Sequence, residues 1–177
     1  MSEQTDQREL RELIERGRVV ALVDNYVTTL DEPCSFDEDW ARSLFTEDVR
    51  LEHEIAVLQG IEEVAAAHRM VMARWERTVH FSTNHRIEFD GDHAHLTARL
   101  MAIHVHPGEN PPDSLIAANL LEADAVHTSN GWRFERFAPR TLWRTGQSPG
   151  ETEADQGHAT PFVPRPARSA LLFKPTR

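Results

Sequence analysis

Four residues carry the chemistry this chain could do: Asp31, His53, His80 and His104. Imidazole titrates near neutrality, and a carboxylate beside it fixes its tautomer and raises its basicity. An aspartate and a histidine brought together therefore make half of a general-base arrangement. A second histidine nearby can assist or protonate a departing group. The three histidines sit in stretches whose apolar residues alternate, so parity says which way each points. Ala94, Leu96, Ala98, Leu100, Ala102 and His104 share one strand face, and five apolar members mark it as the interior. His80, Ser82 and Asn84 share a face of the preceding strand, and Val49, Leu51 and His53 share a face of an earlier one. The three imidazoles are thus expected to look into one space. Asp31 falls where the first helix stops. Each of these residues also has a plain structural use, since buried histidines commonly serve as hydrogen-bonded core and an aspartate before a proline can accept loop amides.

The elements that must position them follow from periodicity. Val19, Leu22, Val23, Tyr26, Val27 and Leu30 recur every three or four residues, which predicts a helix over 9–30 ended by Pro33. Ser35 and Glu38 have capping-box spacing ahead of a short second helix with Trp40, Leu44 and Phe45 inward. Residues 49–58 read as extended, and a third helix starts near Ile61 with Ile61, Val64, Ala65, His68, Met72 and Trp75 on one face. After Arg77 the period becomes two: strands are expected over 78–89, 94–105, 115–126 and 132–137, with turns at Asp90-Gly91 and Asn130-Gly131 and a proline-rich loop over 107–112. Helices followed by hairpin-linked strands is an α+β order. From Thr145 the composition becomes polar, acidic and rich in Gly and Pro, so residues 1–145 are expected to form one domain and 146–177 an extension. Within it, Ala170, Leu171, Leu172 and Phe173 could dock on the domain or a partner.

Composition narrows the partners. The formal net charge is −10 and no Lys/Arg cluster stands out, so nucleic acid is not expected as a ligand. No apolar run is long enough to span a membrane, and the first ten residues lack a signal-peptide pattern. With Cys34 the only cysteine, no intrachain disulfide can form, and a cytoplasmic location is expected.

Several motifs together are similar to a known family. "Val27-Thr28-Thr29-Leu30-Asp31 … Trp40 … Leu44-Phe45-Thr46-Glu47-Asp48-Val49", then "Val79-His80-Phe81", "Phe89-Asp90-Gly91-Asp92-His93-Ala94" and "Asn130-Gly131-Trp132-Arg133-Phe134", resemble SnoaL-like domains of the nuclear-transport-factor-two-like superfamily, from about Leu10 to Thr145. The resemblance implies a cone-shaped α+β barrel: three N-terminal helices on a curved, mixed, mostly antiparallel sheet. It also implies a homodimer, because sheet faces in this superfamily commonly pair. Within it the pattern is most similar to scytalone dehydratase, whose catalytic Asp matches Asp31 and whose two active-site His match His80 and His104. Its two water-holding tyrosines fall at His53 and Leu30, and an Asn on the next strand matches Asn119. Leu30 has no hydroxyl, so Tyr26, one turn earlier, is the candidate replacement. A bile-acid dehydratase of the superfamily uses an Asp–His pair and a C-terminal Arg, which points to Arg140 as an anion binder.

The activity implied is a cofactor-independent dehydratase, isomerase or cyclase. Asp31, His80 and His104 would be catalytic, and Tyr26, His53, Asn119 and Arg140 would bind a small hydrophobic, oxygenated substrate of secondary metabolism such as a polyketide. Two other classes stay open: a non-catalytic binding or assembly module of the same fold, and a metal-dependent enzyme built on His93-Ala94-His95 or His104-Val105-His106. His68 is expected in packing, and His85, His127 and His158 at the surface.

Overall fold

The computed structural model describes residues 3–108 and 113–149. The apolar residues of α1 (Glu3–Asp31) that recur at helical spacing all turn inward: Val19 and Val23 are fully buried, and Leu22, Tyr26, Val27 and Leu30 nearly so. The helix begins six residues before the apolar stripe predicts. Its first turns carry Leu10, Leu13 and Ile14 exposed to solvent, so packing gives no signal there. It stops two residues before Pro33, as the restriction on the residue preceding a proline requires.

The short α2 (Glu38–Leu44) is capped differently from the expected box. Asp37 is the N-cap, its side chain accepting from the Trp40 amide at 2.9 Å, while Ser35 Oγ donates to Asp37 Oδ2 at 2.6 Å. A carboxylate one residue from the helix also suits the positive end of its dipole, so Asp37 displaces Ser35. Phe45 is not on α2; it opens β1 (Phe45–His53). The expected extended stretch is in fact a hairpin, in which β1 turns at Glu54-Ile55 into β2 (Ala56–Gln59). Then α3 (Gly60–Met72) follows, so two strands interrupt the helices. Trp75 lies beyond the end of α3 rather than on its stripe.

Four long strands complete the fold: β3 (Arg77–Asp90), β4 (His93–Val105), β5 (Ser114–Thr128) and β6 (Gly131–Thr145). The sheet order is β2-β1-β6-β5-β4-β3, with β1 parallel to β6 and every other pair antiparallel. The fold class is therefore α+β with a mixed, mostly antiparallel sheet, as expected. The sheet curves but does not close, so the barrel of the prediction is an open one. Between β3 and β4 the two loop residues are Gly91 and Asp92, one position later than predicted, and only Gly91 has positive φ. At the second hairpin the loop is Ser129-Asn130, and Gly131 takes the positive φ as β6 begins.

The largest error of length is β6, expected to stop at Phe137 and running to Thr145. Pro139 argues against a strand because it cannot donate to a ladder. Its position resolves the conflict: the register with β1 ends at Phe137, so the missing donor falls where one neighbour has run out.

Parity on β4 holds, with Ala94, Leu96, Ala98, Leu100 and Ala102 buried. On β3 it changes partway. A bulge between Thr83 and Arg86, with Asn84 at φ 55, sets Asn84 and His85 against a single partner position. His80 and Ser82 lie on the interior side before it, and Ile87 and Phe89 after it. Asn84 therefore does not continue the face of His80. The core is filled by Phe45, Phe134, Phe137, Leu96 and Leu121 between sheet and helices.

Just past β6, Gly146 has φ 82, and a Cβ there would lie 2.0 Å from Ser114 O. Both the conformation and the contact forbid a side chain. Gly146→Ala is expected to cost more than about 1 kcal/mol and to lower the melting temperature by at least about 2 °C. An unchanged thermal melt would show that this turn rearranges freely. β6 ends at Thr145, and residues 150–177, which make up most of the expected extension and include His158 and the apolar Ala170–Phe173 segment, lie outside the described residues.

Candidate active site

α1 runs antiparallel to β3, and three side-chain contacts pin it there. Arg16 Nη2 donates to Ile87 O, Asp24 accepts from Ser82, and Asp31 meets Thr78 and His80. Asp24 and Asp31 are seven residues apart, two helical turns, and therefore share the face that meets the strand.

At the C-terminal end of α1, Asp31 takes three hydrogen bonds. Its Oδ1 accepts from Thr78 Oγ1 at 2.9 Å and from His80 Nδ1 at 2.6 Å, and its Oδ2 accepts from the His80 backbone N–H at 2.6 Å. A carboxylate only accepts, so His80 Nδ1 carries the hydrogen. The far nitrogen, His80 Nε2, lies 3.0 Å from His104 Nε2. The His80 side chain is 9% exposed and that of Asp31 25%. Burial, and then the like charge of His80, push His104 down to about 4, against an opposing pull from Asp31. His104 is neutral at neutral pH.

Around this chain lie residues that spacing does not reveal. Thr78 Oγ1 also reaches Leu30 O, tying the helix end to the strand. Trp75 lies nearly flat on His104, with centroids 4.7 Å apart and planes at 19°, and meets His106 edge-on at 5.4 Å. His106 Nε2 donates in turn to Gln147 O at 2.7 Å. Further along, Ser82 Oγ donates to Asp24 and lies 3.0 Å from His85 Nε2, so His85 is half-buried in a network rather than a surface residue. Trp75 gave one available signal, an aromatic between a helix and the strand bearing His80. For Asp24 the one signal is its place two helical turns before Asp31.

The other site candidates part company. Asn119 lies on the interior side of β5, across from Leu100 on β4 and Thr141 on β6. Leu100 is two residues along from Ala102, the partner of His80, and four from His104, so Asn119 stands one same-face position from the rung of His80 and two from that of His104. Tyr26 is buried, and its hydroxyl is already taken by His68 Nε2 at 3.1 Å. His68 Nδ1 donates to Val64 O at 2.7 Å, which leaves Nε2 to accept from the phenol. Tyr26, Phe36, Trp40 and Phe45 ring this imidazole, and burial lowers it to about 4. His68 is packing, as expected, and it takes Tyr26 with it.

His53 is exposed at the end of β1 and does not join His80 and His104. With Arg140, Glu52, Glu122 and Arg136 it borders a cavity of about 350 Å³. Leu120 and Glu122 of that lining alternate with the buried Leu121 and Ala123, so this cavity opens on the outer side of the sheet. Arg140 is not at a strand end but well inside β6, opposite Leu120. Strand twist and the early end of β1 separate these two residues from the interior row that parity alone assigned to His53. A smaller cavity, about 260 Å³, lies beside His93, His95, Asp124 and Glu135. Neither is lined by Asp31, His80 or His104. His93 and His95 each bond a separate carboxylate, Glu135 and Asp124. Among the described residues no three His, Cys, Asp or Glu are grouped to hold a metal ion.

The family model of the SnoaL-like domain matches residues 11–138. The chain belongs to that family. Solved structures of the same fold are 22% identical or less among those compared below. The Kfla4162 protein of Kribbella flavida is 22% identical, with a TM-score of 0.68 over 76% of this chain and 95% of its own. A candidate scytalone dehydratase from Novosphingobium aromaticivorans is 21% identical, with 0.67 over 80% and 97%. The hexachlorocyclohexane dehydrochlorinase LinA-type3 from Novosphingobium barchaimii is 19% identical, with 0.66 over 89% and 99%. No curated protein matches. At these identities the likeness establishes the shared SnoaL-like architecture, and the chemistry must be read from this chain's own side chains.

Proposed function

We propose that this SnoaL-like protein is a cofactor-independent lyase of dehydratase type, or an isomerase or cyclase using the same step, in which an Asp–His base removes a proton next to a carbonyl. The observation that supports it best is the unbroken chain Asp31–His80–His104, with links of 2.6 and 3.0 Å. Asp31 orients the imidazole of His80 and stabilises the positive charge it gains. Loss of the proton leaves enolate charge on the substrate oxygen. Asn119, on the same interior face two strands from His80, is the candidate donor for it. Expulsion of a β-hydroxyl, protonated by the histidine pair, completes a dehydration. Two of the fold neighbours are described as a candidate dehydratase and a dehydrochlorinase, both eliminations, which agrees with the class. The substrate proposed is a small, hydrophobic, oxygenated ring compound such as a polyketide. Tyr26, His53 and Arg140 do not enter the proposed site.

Incubation with a panel of cyclic β-hydroxy ketones, followed by the ultraviolet absorbance of the conjugated enone, tests the reading. At least one member is expected to be dehydrated, and Asp31→Asn to slow the reaction by about 10²–10⁴-fold. Turnover by Asp31→Asn at the wild-type rate would contradict it.

A homodimer and a cytoplasmic location belong to the same proposal. Val79 and Phe81 on β3 and Trp143 on β6 are about half exposed. They stand in register with Ile103, Met101, Ile116 and Ala118 on the outer sheet face, so the apolar area is continuous. Light scattering is expected to give twice the 20.2 kDa chain mass, and Phe81→Glu to give the monomer. A wild-type monomer at working concentration would end that part. No described helix is long and apolar enough to cross a membrane.

A further inference from the structure

His80 has one nitrogen committed to Asp31, and its other nitrogen is not free either. His104 Nε2 stands 3.0 Å from it, while His104 Nδ1 is buried without a hydrogen-bond partner. One hydrogen lies between the two Nε2 atoms, and its owner fixes every tautomer in the chain. His80 Nδ1 carries a hydrogen for the carboxylate, so a neutral His80 offers a bare Nε2. His104, also neutral, must then donate its Nε2–H, which leaves Nδ1 bare. The opposite choice would bury an N–H with nothing to receive it, and unmatched donors are the rarer defect in folded chains. The unpartnered buried atom is therefore an acceptor at the end of a three-residue relay. Beside it the indole Nε1–H of Trp75, stacked on the same ring, is buried and unmatched as well.

We infer that the substrate's proton is taken by His104 Nδ1 and not by His80 directly. This rests on the proton-abstraction reading above and names the atom that performs it. As the C–H bond breaks, its electron pair stays on the substrate as the enolate and the proton bonds to His104 Nδ1. The Nε2–H bond of His104 breaks as a new one forms on His80 Nε2. His104 is again neutral, and the positive charge rests on His80 against the Asp31 carboxylate. When the β-hydroxyl leaves, His104 Nδ1–H gives its proton to the departing oxygen, His80 returns its proton to His104 Nε2, and the chain is reset. His104 is then the catalytic residue that touches substrate, and His80 stores the charge.

Tautomers can be read without any substrate. Proton–nitrogen correlation spectra of the full chain labelled with ¹⁵N-histidine, at pH 7.5, are expected to show His104 as the Nε2–H form with a bare Nδ1. A hydrogen on His104 Nδ1, or an even exchange between forms, overturns the inference. Asp31→Asn supplies a second reading. The backbone N–H of His80 holds the amide oxygen at the Oδ2 place, so the amide –NH₂ faces His80 Nδ1. His80 should switch to its Nε2–H form and His104 to Nδ1–H, inverting both rings. A folded Asp31→Asn chain that keeps the wild-type tautomers also overturns it; should that variant not fold, the wild-type spectrum decides. Failure here leaves the Asp–His base intact, whereas dehydration by Asp31→Asn at the wild-type rate removes the base itself.

Discussion

Replacing His80 with glutamine is expected to lower kcat on any compound the wild-type chain dehydrates by about 10²–10⁴-fold, the usual range for one general acid–base group. The fold should survive. His80 is on a strand whose backbone bonds do not need the ring, and the glutamine amide can donate to Asp31 in place of Nδ1–H. Circular dichroism and thermal melting are therefore expected to stay near wild type while turnover falls. Asp31→Ala should cost a similar factor and somewhat more stability, because it also strands the His80 backbone N–H, whereas the Thr78 hydroxyl keeps Leu30 O as its acceptor. Full activity in both variants would mean that the pairing is only a tie between α1 and β3. Such ties exist in this chain, and the Asp24–Ser82–His85 network is one.

Acid should unfold the protein early, and His68 should be a main cause. In the native state its ring stays neutral until about pH 4. In the unfolded chain it titrates near about 6.5. Above that pH both states are neutral and the full stability is present. As the pH falls from 6.5 to 4 the unfolded chain binds a proton that the native chain refuses, so stability drops; below 4 this group adds no further loss. The gap corresponds to about 3 kcal/mol, or roughly 6–12 °C in melting temperature for a chain of this size. His104 is lowered to about 4 as well, and its contribution has the same sign. Melting curves between pH 8 and 4 are expected to be steeper for wild type than for His68→Gln, which removes one titrating ring while starting from a lower plateau. Parallel curves would show that water reaches His68 without unfolding.

The location of chemistry was legible where one residue type and one period were enough. Alternation on β4 put His104 inside with Leu96 and Leu100, and the motif order carried Asp31 and His80 to each other. Where spacing alone misleads, the cause is tertiary. Tyr26 looked available because its helix position resembled that of Leu30, and only packing shows that His68 already holds the hydroxyl. Asn84 left the face of His80 because a bulge inserts one residue, and nothing in its flanking sequence demands a bulge there. His53 had the right parity on a strand that ends too soon.

By itself, then, the sequence determined the α+β order, the helix bearing Asp31 and the strands bearing His80 and His104, since periodicity and turn residues act over a few neighbours. Tertiary structure alone decided which of these groups meet, how β6 outlasts Pro139, and which nitrogen of His104 is left bare. Those outcomes depend on distances between residues 24 to 73 positions apart, such as His80 and His104 or Asp31 and His104, and no local preference encodes them.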